Sequence, residues 1–114
     1  MNCSIEDIIL QHDKRGMTLL RDYLPLDYCK NAANTLLNLK GVVFIVSGFY
    51  ILSAHQPETD GPPSAILLGE ILEDLGLKVY FITDKYAQKL FVPFVDEEKL
   101  IEFPITSDEV ATVF

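Results

Sequence analysis

The chain has no tryptophan, and its 114 residues include only two methionines and two cysteines. Cys3 and Cys29 stand far apart and outside any CxxC spacing. That excludes a disulfide framework and the usual zinc-ligand patterns, so no metal site is expected and both thiols read as free in a reducing compartment. Basic residues are scarce too, nine against seventeen acidic ones, for a net charge of -8. Only Lys14 and Arg15 are adjacent, and a phosphate-binding surface needs clustered cations, so a nucleic-acid partner is excluded. Long apolar runs are also missing. The longest, residues 42–52, is interrupted by Ser47 and Gly48 and is too short to span a bilayer. The first residues lack the basic segment of a signal peptide and the arginines of a transit peptide. The expected location is therefore the cytoplasm, with no membrane partner. GxGxxG, GxxxxGK[ST] and GxSxG are absent, and no cofactor can be named from the residues.

The residues that are present alternate between helical and strand patterns. Ser4 is placed to cap a helix whose apolar face is Ile5, Ile8 and Ile9, with Asp7 completing a capping box and Gly16 as the stop. Met17 to Tyr23 reads as a short helical segment. Asp27 opens a further helix to about Leu39, which Gly41 ends. Residues 42–46, Val-Val-Phe-Ile-Val, are apolar without alternation, the mark of a parallel strand buried on both faces. A loop from Ser47 to about Gly61 follows, longer than βα connections usually are. Pro62-Pro63 prepares a helix from Ser64 to Leu75, stopped by Gly76. Residues 78–83 form a second strand, Asp84 to about Phe91 a helix, and residues 100–105 a third strand that Pro104 places at an edge or an end.

Strand, helix and strand in this order predict a βαβ crossover. The fold class is α/β: a Rossmann-like open, mostly parallel sheet flanked by helices, in one domain over residues 1–114. Three strands make a small sheet with unpaired edges, and residues 109–114 are again apolar and strand-like. The domain therefore reads as incomplete, with an open edge able to pair with another copy.

Ligands of open α/β sheets sit beyond the carboxyl ends of the strands. That rule brings Ser47-Gly48-Phe49, the long loop and Thr83-Asp84 around one crevice. The helix behind Pro62-Pro63 points its positive end into the same space, where a carboxylate or phosphate can bind. Because proline has no N–H, the donors expected there are Gly61, Ser64 and Ala65. Glu58-Thr59-Asp60-Gly61-Pro62-Pro63 has two readings of equal weight. One is a stiffened loop whose carboxylates take an ammonium group, a cation or a proton. The other is an ordinary helix start with Thr59 or Asp60 as cap. His55 reads as a surface histidine before it reads as a base. Asp84 either faces the crevice or caps the next helix. Arg15 could supply a cation to an acidic substrate.

These blocks, Ser47-Gly48-Phe49, then Glu58 to Ala65, then Tyr80-Phe81-Ile82-Thr83-Asp84, with Arg15-Gly16 before them, resemble the D-glutamate cyclase family. Two local departures are Ser47, where a threonine is usual, and Ser64, where a glycine is usual. The chain looks like the N-terminal part of the larger cyclase-like domain. The resemblance implies a lyase that interconverts D-glutamate and 5-oxo-D-proline with loss or gain of water. It implies Glu58 and Asp60 as catalytic residues, and Ser47, Gly48, Thr59, Gly61, Ser64, Thr83 and Asp84 as substrate-binding ones. Two alternatives stand beside it: a non-catalytic binding module for small acids, and an inactive scaffold fragment.

Overall fold

The structure, a computed structural model, describes residues 4–104. They fall into two compact units that divide between Leu39 and Lys40.

The first unit is helical. Helix α1 (Ile5–Leu10) begins with the expected capping box: Asp7 N–H donates to Ser4 Oγ at 3.2 Å, and Ser4 N–H to Asp7 Oδ2 at 2.9 Å. The helix ends well before Gly16. Asp13 takes the backbone N–H groups of Arg15 (2.9 Å) and Thr18 (2.8 Å), a local arrangement that competes with helix continuation. Gly16 then opens a 3₁₀ helix over Met17–Tyr23. Helix α2 (Tyr28–Leu37) follows Asp27, whose left-handed backbone makes no side-chain cap. Glu6 of α1 supplies the cap instead, accepting the Cys29 N–H at 2.7 Å. The expected apolar face of α1 is exposed. Ile5, Ile8 and Ile9 are each more than half exposed within the described chain, while Glu6 is 1% exposed.

The second unit runs β1 (Val42–Val46), β2 (Tyr50–Ile51), β3 (Gln56–Pro57), α3 (Gly61–Asp74), β4 (Lys78–Thr83), α4 (Gln88–Phe91) and β5 (Leu100–Glu102). Strands β1, β4 and β5 form an open sheet in the order β1-β4-β5, parallel throughout. Register runs from Val42 opposite Lys78 to Val46 opposite Ile82, then from Phe81 opposite Leu100 to Thr83 opposite Glu102. This is the expected open α/β sheet with helices around it. β5 stops two residues before Pro104, and Phe103 N–H adds one more bond to Thr83 O at 2.8 Å.

Both α3 and α4 pack on one face of this sheet. Gly69 of α3 lies against the Phe81 ring so closely that a methyl group there would overlap it. Phe81 in turn meets Phe91 of α4 with ring centroids 5.6 Å apart. Leu72, Val79, Phe81 and Phe91 form the centre of the core, each buried side chain contributing about 1.5–3 kcal/mol. Gly76 ends α3 as expected: its N–H reaches Glu73 O and the next one, from Leu77, reaches Leu72 O, satisfying the last carbonyls.

Two expectations need correction. Among the described residues β1 is an edge strand, and Val42, Phe44 and Val46 on the face opposite α3 are 51%, 56% and 74% exposed, so it is not buried on both sides there. The long connection after Val46 is not all loop either. Strands β2 and β3 pair antiparallel within it, Tyr50 opposite Pro57 and Ile51 opposite Gln56. The strand-like run at 109–114 lies outside the described residues. Among those described, no helix is long and apolar enough to cross a membrane.

Candidate active site

The carboxyl ends of β1 and β4 are neighbours, since Ser47 N–H continues their ladder to Ile82 O at 3.0 Å. Beyond that bond the chain passes through Gly48 at φ 140, a conformation that side chains rarely adopt. The backbone also runs unusually close to the end of β4 here. A Cβ on Gly48 would lie 2.8 Å from Asp84 Oδ2, 2.9 Å from Thr83 Oγ1 and 3.4 Å from Ala87 Cβ. Only glycine lets these two segments meet.

Of the two sequence readings of Asp84, the cap is the one observed. Its Oδ1 accepts the N–H groups of Tyr86 at 2.7 Å and Ala87 at 2.9 Å, fixing the turn into α4. The other oxygen, Oδ2, faces Gly48. Beside it, Thr83 is 2% exposed, and its hydroxyl has no hydrogen-bond partner among the described residues. A buried polar atom without a partner is uncommon in a folded protein and marks a place where a ligand or a water belongs.

The start of α3 closes the other side. Ser47 Oγ lies 3.1 Å from the point where a Cβ on Gly61 would stand. The helix begins at Gly61, three residues before the expected Ser64. Helical bonding then sends the Ser64 and Ala65 N–H groups back to the carbonyls of residues 60 and 61. With Pro62 and Pro63 lacking donors, the free N–H groups at this end are those of Asp60 and Gly61, and Ser64 offers its hydroxyl. Asp60 occupies the cap position, yet its side chain makes no cap hydrogen bond. The N–H groups that a cap side chain would accept from belong here to Pro62 and Pro63, so the helix-start reading keeps its cap position and its prolines but has no side-chain cap bond.

The connecting hairpin is pinned at several points. Glu58 N–H donates to Phe49 O at 2.7 Å, holding the Glu58-Thr59-Asp60 segment beside Ser47-Gly48-Phe49. Tyr50 stacks on Tyr86 at 4.2 Å, and Lys89 Nζ reaches Gln56 Oε1 at 3.3 Å, tying the hairpin to the α4 region. Glu58 is half-buried, while Thr59 and Asp60 are exposed. Nothing in the sequence pattern announced the tyrosine pair, since stacking across 36 positions leaves no periodic signal. His55 stands at the hairpin turn with φ 51, exposed, and Arg15 belongs to the helical unit.

A cleft of about 400 Å³ lies along α3, lined by Thr59, Pro62, Pro63, Ile66, Leu67, Glu70, Leu90 and Phe94. It is almost wholly apolar, and of the expected site residues only Thr59 reaches it. Among the described residues no three His, Cys, Asp or Glu side chains gather as a metal site.

A family model described as D-glutamate cyclase-like, C-terminal, matches residues 5–113. The chain belongs to this family. The match takes in both units and every candidate site residue. A search of curated proteins gave no match. Within the cyclase-like domain, Ser47-Gly48, the start of α3 and Thr83-Asp84 converge at one end of the β1–β4 pair. Asp60 and Glu58 enter from the segment beside them.

Proposed function

We propose that the chain carries the substrate crevice of a lyase that interconverts D-glutamate and 5-oxo-D-proline. The observation that supports this most is the convergence of a helix start, two strand ends and a free carboxylate at Asp60, in a chain of the cyclase-like family. In ring closure the amine nitrogen bonds to the γ-carboxyl carbon, and one carbon–oxygen bond of that carboxyl breaks. Two protons leave the ammonium group and depart with the oxygen as water. The residues must therefore move protons from nitrogen to oxygen and hold the oxyanion that forms between.

Asp60 and Glu58 are the proton carriers of this reading. The Asp60 and Gly61 N–H groups, with the α3 dipole and the Ser47 and Ser64 hydroxyls, receive a substrate carboxylate. Thr59 adds a hydroxyl beside them. Turnover of D-glutamate, followed by chiral chromatography, tests the assignment. Asp60→Asn and Glu58→Gln should each lower kcat by about 10²–10⁴-fold with the fold intact. Full turnover in Asp60→Asn would remove Asp60 from the chemistry. Binding of 5-oxo-D-proline by the unaltered chain with no turnover at all would favour a non-catalytic acid-binding module.

A further inference from the structure

The apolar cleft of about 400 Å³ is not used by the crevice at the strand ends. Ile66, Leu67 and Glu70 of α3 line it together with Leu90 of α4 and Phe94 beyond it. At about 1.5 Å of rise per residue, its span along α3 from Pro62 to Glu70 is about 12 Å. The apolar surface continues past the cleft. Leu67, Ile71 and Leu75 recur at every fourth position and are 58%, 48% and 48% exposed, and Phe94 is 70% exposed, within the described chain. A continuous apolar stripe beside a cleft marks an interaction surface, where single exposed leucines would not. Its charge has one sign. The charged residues of α3 are Glu70, Glu73 and Asp74, with no lysine or arginine. Lys99 is held by Glu73 at 2.7 Å, and Lys89, next to Leu90, reaches away to Gln56 at 3.3 Å. Glu70 alone brings a charge into the cleft lining, and it has no ion pair among the described residues.

We infer that this cleft is the docking groove for an amphipathic helix of a partner protein, with lysine or arginine flanking the helix's apolar face. Helix anchors at i, i+3 or i+4, and i+7 cover about 10.5 Å, which fits the length of the cleft. An extended peptide is a poorer fit, because it needs a strand edge to bond its backbone. The α3 backbone is bonded within its own helix, and Phe94 N–H already donates to Phe91 O at 2.8 Å. A helix arrives with its backbone satisfied and asks only for apolar contact. Charge decides among the other occupants. A second copy would bring the same acidic α3 and a net charge of -8, and an anionic lipid surface is repelled in the same way. Glu70 and Asp74 instead complement a basic flank. None of this depends on what the crevice binds.

Two designed helical peptides test this in amide NMR titrations of the full chain. Both carry leucine at i, i+3, i+4 and i+7; one has lysine on its flanks and the other glutamate. The lysine peptide should shift Ile66, Leu67, Glu70, Leu90 and Phe94, and the glutamate peptide should not. Leu67→Ser changes an exposed side chain, so the fold is not at stake, and it should weaken the lysine peptide about tenfold or more. Glu70→Gln should weaken it by a smaller factor and reduce its sensitivity to salt. Equal binding of the two peptides overturns the charge argument and the proposal with it. Shifts from the lysine peptide scattered over other acidic residues, or none at all, also overturn it, the first by showing unspecific attraction of a cation to an acidic protein. Self-association of the unaltered chain that Leu67→Ser abolishes would make a second copy the occupant, and binding to anionic vesicles lost in the same variant would make it a lipid surface. Either result overturns the partner helix.

Discussion

Gly48 shows how much a single residue can decide. Its φ of 140 and the 2.8 Å approach to Asp84 Oδ2 leave no room for a side chain. Gly48→Ala should cost about 1–3 kcal/mol of stability in thermal or denaturant melts and reduce D-glutamate binding. Wild-type stability in that variant would contradict the close approach. Glu6 makes a different prediction, at the same scale. Its carboxyl is held below the ordinary value of 4.5, chiefly by the hydrogen bond from Cys29 N–H. A depressed carboxyl stabilises the fold above its unfolded pKa, and that contribution is lost as pH falls through the lower, folded value. Helical circular dichroism should therefore fall as the pH drops below 4.5, and Glu6→Gln should flatten that limb. Overlapping acid curves for the two proteins would count against Glu6 as the cap of α2. Cys29 itself titrates high, mainly because it is desolvated and then because Glu6 lies beside it, so it should react slowly with thiol reagents at neutral pH.

Among the elements, α3 and β4 carry the fold, and their contact is tight enough to test. Gly69→Ala places a methyl against the Phe81 ring, and denaturant melts should show a loss of about 1–3 kcal/mol; no loss would mean that the helix sits further from the sheet. These same elements were the most legible in the sequence. The run at 78–83 and the stop at Gly76 are strong local signals, and the βαβ order follows from them. The hairpin inside the 47–61 connection was not legible, because two strands of two residues each have no periodicity to read. For β1, the continuous apolar pattern was real but did not mean burial on both faces: among the described residues it is an edge strand with one face uncovered. In α1, periodicity placed three isoleucines on one face but could not show that a carboxylate, Glu6, caps the neighbouring helix α2. For the site, the strand-end rule placed Ser47, Gly48, Thr83 and Asp84 correctly at one end of the sheet. Which oxygens are already bonded, and which are free, depends on turn geometry that residue types do not encode.

For the whole molecule, the net charge of -8 frames the problem of recognising an acid. The global field repels an anionic ligand, so attraction must come from the helix start and the backbone N–H groups at close range. Raising salt from about 10 mM to about 150 mM should therefore speed the association of 5-oxo-D-proline, because screening acts on the distant charges first. Slower association in salt would point to a cationic approach path instead. The central claim is that the strand ends and the start of α3 make one enantioselective crevice. Backbone amide NMR spectra of the labelled chain, titrated with 5-oxo-D-proline and separately with its L-enantiomer, test it most directly. D-selective shifts are expected at Ser47, Gly48, Asp60, Gly61, Thr83 and Asp84. Equal shifts with both enantiomers, no shifts at these residues, or shifts confined to Ile66, Leu67 and Phe94 along the apolar cleft would contradict it.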